Sequence, residues 1–155
     1  MTTAMSDYLE SGLLHHIFKS EVFLKPDTIA IALCSGVPVD SDTGETIPEM
    51  PSGVNGNHTG YARIDLGDPS FQGDTTWIYE QQEHDYGSGL IKNSGSIVFS
   101  KALVDWGWVS GIAITDTAVH RSGNLLLHSE LSNPRIVYKG DSVKFDVTNL
   151  KIKFN

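Results

Sequence analysis

The sequence predicts a mainly β protein: an antiparallel β-sandwich of jelly-roll type with about eight strands, one N-terminal helix and long loops. Three observations predict it. The apolar residues change from a helical to an alternating period after Pro26, turn residues punctuate the alternating runs, and no helix-length gap separates the last four of them. With 155 residues, 39% of them hydrophobic, the chain has material for one core and therefore for a single domain over 1–155.

The N-terminal helix comes first. Ser6 is a good N-cap, and Leu9, Leu13 and Ile17 recur at four-residue spacing with Leu14 and Phe18 beside them, so a helix over about 7–19 has one apolar face. Tyr8, Leu9 and Leu13 on this segment are candidate assembly contacts. Such a short helix does not oligomerise by itself.

The strand-like runs are 28–34, 61–66, 90–99, 109–115, 125–131, 136–138, 143–148 and 150–154. Strict alternation in Val143-Lys-Phe-Asp-Val147 and Leu150-Lys-Ile-Lys-Phe154 suits antiparallel sheets with one wet and one dry face. Ser122-Gly-Asn124 and Lys139-Gly-Asp141 supply turns. The stretch 35–60 is polar, with three prolines and five glycines in 26 residues, far beyond the usual connection of roughly 4–6. It is a functional loop, a segment disordered alone, or one ordered by a partner; the polar stretch 67–89 reads similarly.

Eleven basic against nineteen acidic residues give a formal charge of −8, a field that repels phosphate backbones and argues against nucleic acid as a partner. No stretch reaches the roughly 18 apolar residues of a membrane span, and the N-terminus lacks the order of a secretion signal. A protein made and used in soluble form is the expectation. The single cysteine, Cys34, sits in an apolar run and reads as a small buried hydrophobe.

No catalytic set emerges. The six histidines show neither the i, i+4 spacing of a helical zinc site nor a neighbouring cysteine, and nothing calls for a cofactor. Asp40, Asp42 and Glu45 around Gly44 are a weak calcium candidate; they depart from the EF-hand pattern, and a solvated acidic turn is the simpler reading. Glu83-His84-Asp85 places an imidazole between carboxylates, but in a loop-like segment whose neighbours alternate sides. Trp77, Tyr79 and Tyr86 are candidates for glycan or partner contact. Trp106 and Trp108, at i, i+2, should share one sheet face, which suits a sugar-stacking platform as well as a core; the core is favoured because the pair leads into the apolar run 109–114.

Taken in order, Ser6-Asp-Tyr-Leu-Glu10, Leu13-Leu14-His15, Ile31-Ala-Leu-Cys34, Gly60-Tyr-Ala-Arg63, Gly95-Ser-Ile-Val-Phe99, Asp105-Trp-Gly107, Ile112-Ala-Ile-Thr-Asp116, Gly123-Asn-Leu-Leu126 and Gly140-Asp141 form a pattern over most of the chain. It resembles small virion proteins of tailed bacteriophages, often labelled tail-fibre or minor tail proteins. The resemblance implies a β-sandwich behind a leading helix, and a non-enzymatic structural role in multiple copies on the virion. Its partners would be major capsid or tail proteins and copies of itself. The lack of a heptad shaft, the small size and the acidity favour a capsid decoration or cement protein. The alternative is a tail-associated fibre, adaptor or minor tail protein with receptor or glycan binding.

Overall fold

A computed structural model describes residues 3–53, 58–68, 77–79 and 90–153. In chain order the elements are β1 (Thr3–Met5), α1 (Asp7–Phe18), β2 (Ala30–Cys34), β3 (Ile64–Asp65), β4 (Trp77–Tyr79), β5 (Leu90–Asn93), β6 (Ile97–Val98), β7 (Gly107–Thr115), β8 (Leu125–Val137), β9 (Lys144–Phe145) and β10 (Lys151–Lys153). The main sheet has the order β1-β8-β7-β2-β3; a three-stranded sheet, β10-β5-β4, and a two-stranded one, β6-β9, complete the fold. Every pairing is antiparallel. The result is a sandwich-like β architecture with one helix, as its alternating runs predict.

The boundaries shift for local reasons. Ser94 and Gly95 interrupt the run 90–99, which becomes β5 and β6. The runs 125–131 and 136–138 join in β8, but their register against β7 jumps, so that Val109 pairs with Arg135 whereas Gly111 pairs with Glu130. The surplus residues around Pro134 bulge there, where a missing N–H does no harm. Thr3–Met5 is too short to show a period by itself, yet it pairs along the edge of β8, with Thr3 opposite Ser129.

Strand β2 is buried at all five positions, which means that both of its faces are covered. Ile31 and Leu33 point into the main core with Ile112, Ile114, Phe99, Val143 and Ile152. On the other face lie Ala32, Cys34, Ala113 and Leu125 with Ile47. Ile47 comes from the first long loop, and residues 35–53 are that face's lid. The residues beneath are small because the loop lies almost on the backbone: a Cβ on Gly111 would stand 2.3 Å from the Gly36 carbonyl oxygen. This part of the loop is therefore ordered by its own chain.

A buried ion pair pins the lid. Glu49 and Arg63 have fully buried side chains and meet at 2.8 Å. Arg63 donates from Nε and Nη2 to the two Glu49 oxygens, and also to the carbonyls of Gly44 (2.8 Å), Thr117 (3.0 Å) and Ser122 (2.9 Å). Glu49 further accepts from the Tyr61 hydroxyl (2.8 Å) and the Arg121 N–H (3.0 Å). One guanidinium thus joins the lid, the strand β3 approach and the 117–122 turn. Burial pushes the Glu49 carboxyl up, but the Arg63 hydrogen bonds, the Arg121 N–H, the Arg63 charge and Tyr61 together outweigh it and hold the group below its ordinary value.

Trp106 and Trp108 do not share a face. Gly107 between them has φ of 81°, which breaks the strand alternation. Trp106 is buried, its Nε1–H donating to the Thr59 carbonyl (2.8 Å) and its ring edge-on to Tyr61, whereas Trp108 is 57% exposed.

Burial first, then the Glu49 charge, pushes the Cys34 thiol up to about 12, against the opposing pull of Arg63. The folded protein should leave a thiol reagent at pH 8 unreacted until denaturant is added; fast labelling of the native chain would contradict the lid geometry.

Candidate assembly interface

Ser6 starts α1. Its Oγ accepts the Leu9 N–H at 3.2 Å and its hydroxyl donates to the Leu125 carbonyl, while its own N–H reaches the Leu126 carbonyl at 3.0 Å. The cap therefore also fastens the helix to β8. Asp7 and Glu10 in the first turn and His15 and His16 in the last complement the helix dipole. Ser6 is fully buried, so Ser6→Ala removes a cap and strands a buried carbonyl at once. It should cost about 1–2 kcal/mol in a urea titration; an unchanged midpoint would contradict this.

After α1 the chain turns at Ser20, with φ of 57°, and runs back along the helix. The Phe23 N–H donates to His16 Nδ1 at 3.3 Å. The Phe23 ring packs 5.8 Å from that of Tyr8 and against Gly12, where a Cβ would meet Phe23 Cδ2 at 2.3 Å. Leu9 also turns inward: with Phe23, Pro26, Ile29 and Trp77 it lines an apolar cavity of about 250 Å³ beside the core.

The returning segment therefore occupies one flank of the helix and leaves the rest open. No residue of α1 is buried. Leu14 is 55% exposed, Ile17 66%, Phe18 78%, Val22 74% and Leu24 78%. Among the described residues, seven of the sixteen exposed large apolar side chains fall within 8–24, so the exposure is concentrated in this stretch of the sequence. Covering one such side chain is worth about 1.5–3 kcal/mol. Five of them left largely in water forgo roughly 5–10 kcal/mol that a neighbouring surface would recover.

Of the candidate contacts, Tyr8 is 44% exposed on the flank that Phe23 packs against and Leu13 is 36% exposed, while Leu9 is half-buried and packs against the core. The more exposed positions, Ile17, Phe18, Val22 and Leu24, carry more of the surface. Only knowing which flank Phe23 covers makes that visible.

The other candidates lie elsewhere. In the acidic turn, Asp42 accepts from the Val39 N–H and the Thr46 hydroxyl, both at 2.9 Å, and Asp40 meets His128 Nε2 at 2.9 Å. Glu45 is exposed. Among the described residues no group of three or more His, Cys, Asp or Glu is arranged to hold a metal ion. Trp77, in β4, packs against the core, and Tyr79 occupies the same strand. Tyr86 and Glu83-His84-Asp85 lie outside the described residues.

A family model described as Podophage GP4 fiber I protein gp80 matches residues 4–153. No curated protein matches the chain.

Proposed function

This chain belongs to the Podophage GP4 fiber I protein gp80 family, and from that membership we propose that it is a fibre-associated structural subunit of the phage tail, held in the virion through the outer face of α1 and segment 20–24. The observation that carries the reading is the concentrated apolar exposure of Leu14, Ile17, Phe18, Val22 and Leu24 beside a well-packed core. Monomeric proteins rarely expose such a patch unless it is a contact surface. The family's description as a fibre favours the tail over the head surface, so the decoration or cement role suggested by size and acidity is not adopted.

The work of this subunit is mechanical rather than chemical. The apolar patch binds another virion protein, further copies of the chain fill equivalent positions, and the rigid sandwich transmits the attachment. The Arg63–Glu49 pin keeps that body stiff without itself touching a partner. Gold labelling of a C-terminal tag on purified particles tests the position. Label at the tail is expected; label spread over the head, or absent from the virion, would overturn the reading.

A further inference from the structure

A second surface, away from α1, has the chemistry of a binding site. The bulge in β8 opens a groove of about 550 Å³ against β9 and β10, lined by Val109, Leu131, Ser132, Asn133, Arg135, Val143, Lys144, Phe145, Asn149 and Lys151. Its volume lies in the range of about 300–1,000 Å³ usual for ligand sites. In a chain with nineteen acidic and eleven basic residues, the described residues of this lining include three cations and no carboxylate.

We propose that this groove binds an anionic oligosaccharide, a sugar chain bearing carboxylate or phosphate groups. The three cations would hold the acidic groups, and the amides of Asn133 and Asn149 with the Ser132 hydroxyl would meet sugar hydroxyls. The half-buried Phe145 ring beside Val109 and Val143 supplies an apolar floor for a pyranose face.

The polar groups of the groove are exposed and open to a ligand. Ser132, Asn133, Asn149 and Lys151 have side chains with no partner among the described residues. Arg135 donates to the Ser142 carbonyl at 2.9 Å, which orients its guanidinium and leaves further N–H groups for a ligand. Lys144 pairs with Asp146 at 2.6 Å, but both are more than half exposed, so the pair is weak and exchangeable. All three cations stand on strands, and bulges of this kind commonly aim side chains at functional sites.

The test is calorimetric titration of the full chain with oligogalacturonate and with phosphomannan oligosaccharide, against neutral dextran and polyglutamate peptide of matched length. The two acidic sugars separate carboxylate from phosphate as the anionic group. Saturable binding of at least one is expected, weakened by salt and reduced at least about tenfold in Arg135→Gln/Lys151→Gln. Both positions are exposed, so the melting temperature should not move. Should that variant fail to fold, ligand-induced NMR shifts in the unaltered protein replace it, and they should centre on the Asn133 and Asn149 side-chain amides. The proposal falls if neither acidic sugar binds more tightly than dextran, if polyglutamate binds as tightly as the sugars, if the variant binds normally, or if the shifts centre elsewhere.

Discussion

Replacing Arg63 by methionine lowers the stability of the protein by about 3–5 kcal/mol. The Glu49 carboxylate would remain with its side chain fully buried, keeping hydrogen bonds from Tyr61 and the Arg121 N–H, with His120 Nε2 3.9 Å away. A buried charge whose partner is removed retains its desolvation cost and loses the attraction that offset it. The carbonyls of Gly44 and Ser122 lose the Arg63 donor in the same step, and the Thr117 carbonyl is left to the Thr115 hydroxyl. For a domain of this size, with roughly 2–4 °C per kcal/mol, the melting temperature falls on the order of 10 °C. Removing both charges in Arg63→Met/Glu49→Leu recovers part of the loss, because no orphan ion remains. Chemical denaturation of the three proteins measures all of this, and a loss below about 1 kcal/mol for Arg63→Met would show that the pin does not hold the lid.

The pair also sets a pH dependence. The folded Glu49 pKa lies below its unfolded value, so in acid the unfolded chain binds more protons than the folded one and stability rises with pH. Its contribution is complete above the ordinary carboxyl value and is lost as the pH falls through the lowered folded value. In Arg63→Met that part of the acid slope flattens.

The second large effect concerns assembly. Ile17→Lys/Phe18→Lys should leave the isolated protein folded, since both side chains are largely in water and cations suit the last turn of a helix. Its unfolding free energy should stay within roughly 0.5 kcal/mol of the parent. At an apolar contact, however, two ammonium groups would be desolvated without partners, at a cost of several kcal/mol. Every 1.4 kcal/mol is about tenfold in affinity, so incorporation into particles should fall at least about tenfold. Quantitative mass spectrometry of virions from a complementation experiment reads it. Normal incorporation of a folded variant would remove α1 from the attachment surface.

Much of the fold is legible in the amino-acid pattern because its signals are local. Ser6 with the Leu9, Leu13, Ile17 spacing marks α1, and the alternating runs mark most strands. The lid was harder, because 35–53 has loop composition and its grip comes from Glu49 and Arg63, which meet only in the fold. A weak signal existed in Ala30-Ile-Ala-Leu-Cys34: a strand without polar alternation needs cover on both faces, and its small residues leave room for backbone. Gly107 defeated the shared-face expectation for Trp106 and Trp108, since strand alternation assumes a regular φ. The apolar spacing marks α1 as carrying exposed hydrophobic residues, but which flank stays open depends on Phe23, whose packing on Tyr8 and Gly12 is a tertiary contact. The cationic groove was invisible, being assembled from a bulge and separate strands whose lysines and arginine read individually as ordinary surface charge.

The open face of α1 and segment 20–24 is proposed as a contact surface in the virion. Cryo-electron microscopy of the intact particle, at a resolution that shows side chains, tests it most directly. Density for a neighbouring chain packed on Leu14, Ile17, Phe18, Val22 and Leu24 is expected at the tail. Those five side chains facing solvent in every copy would contradict it.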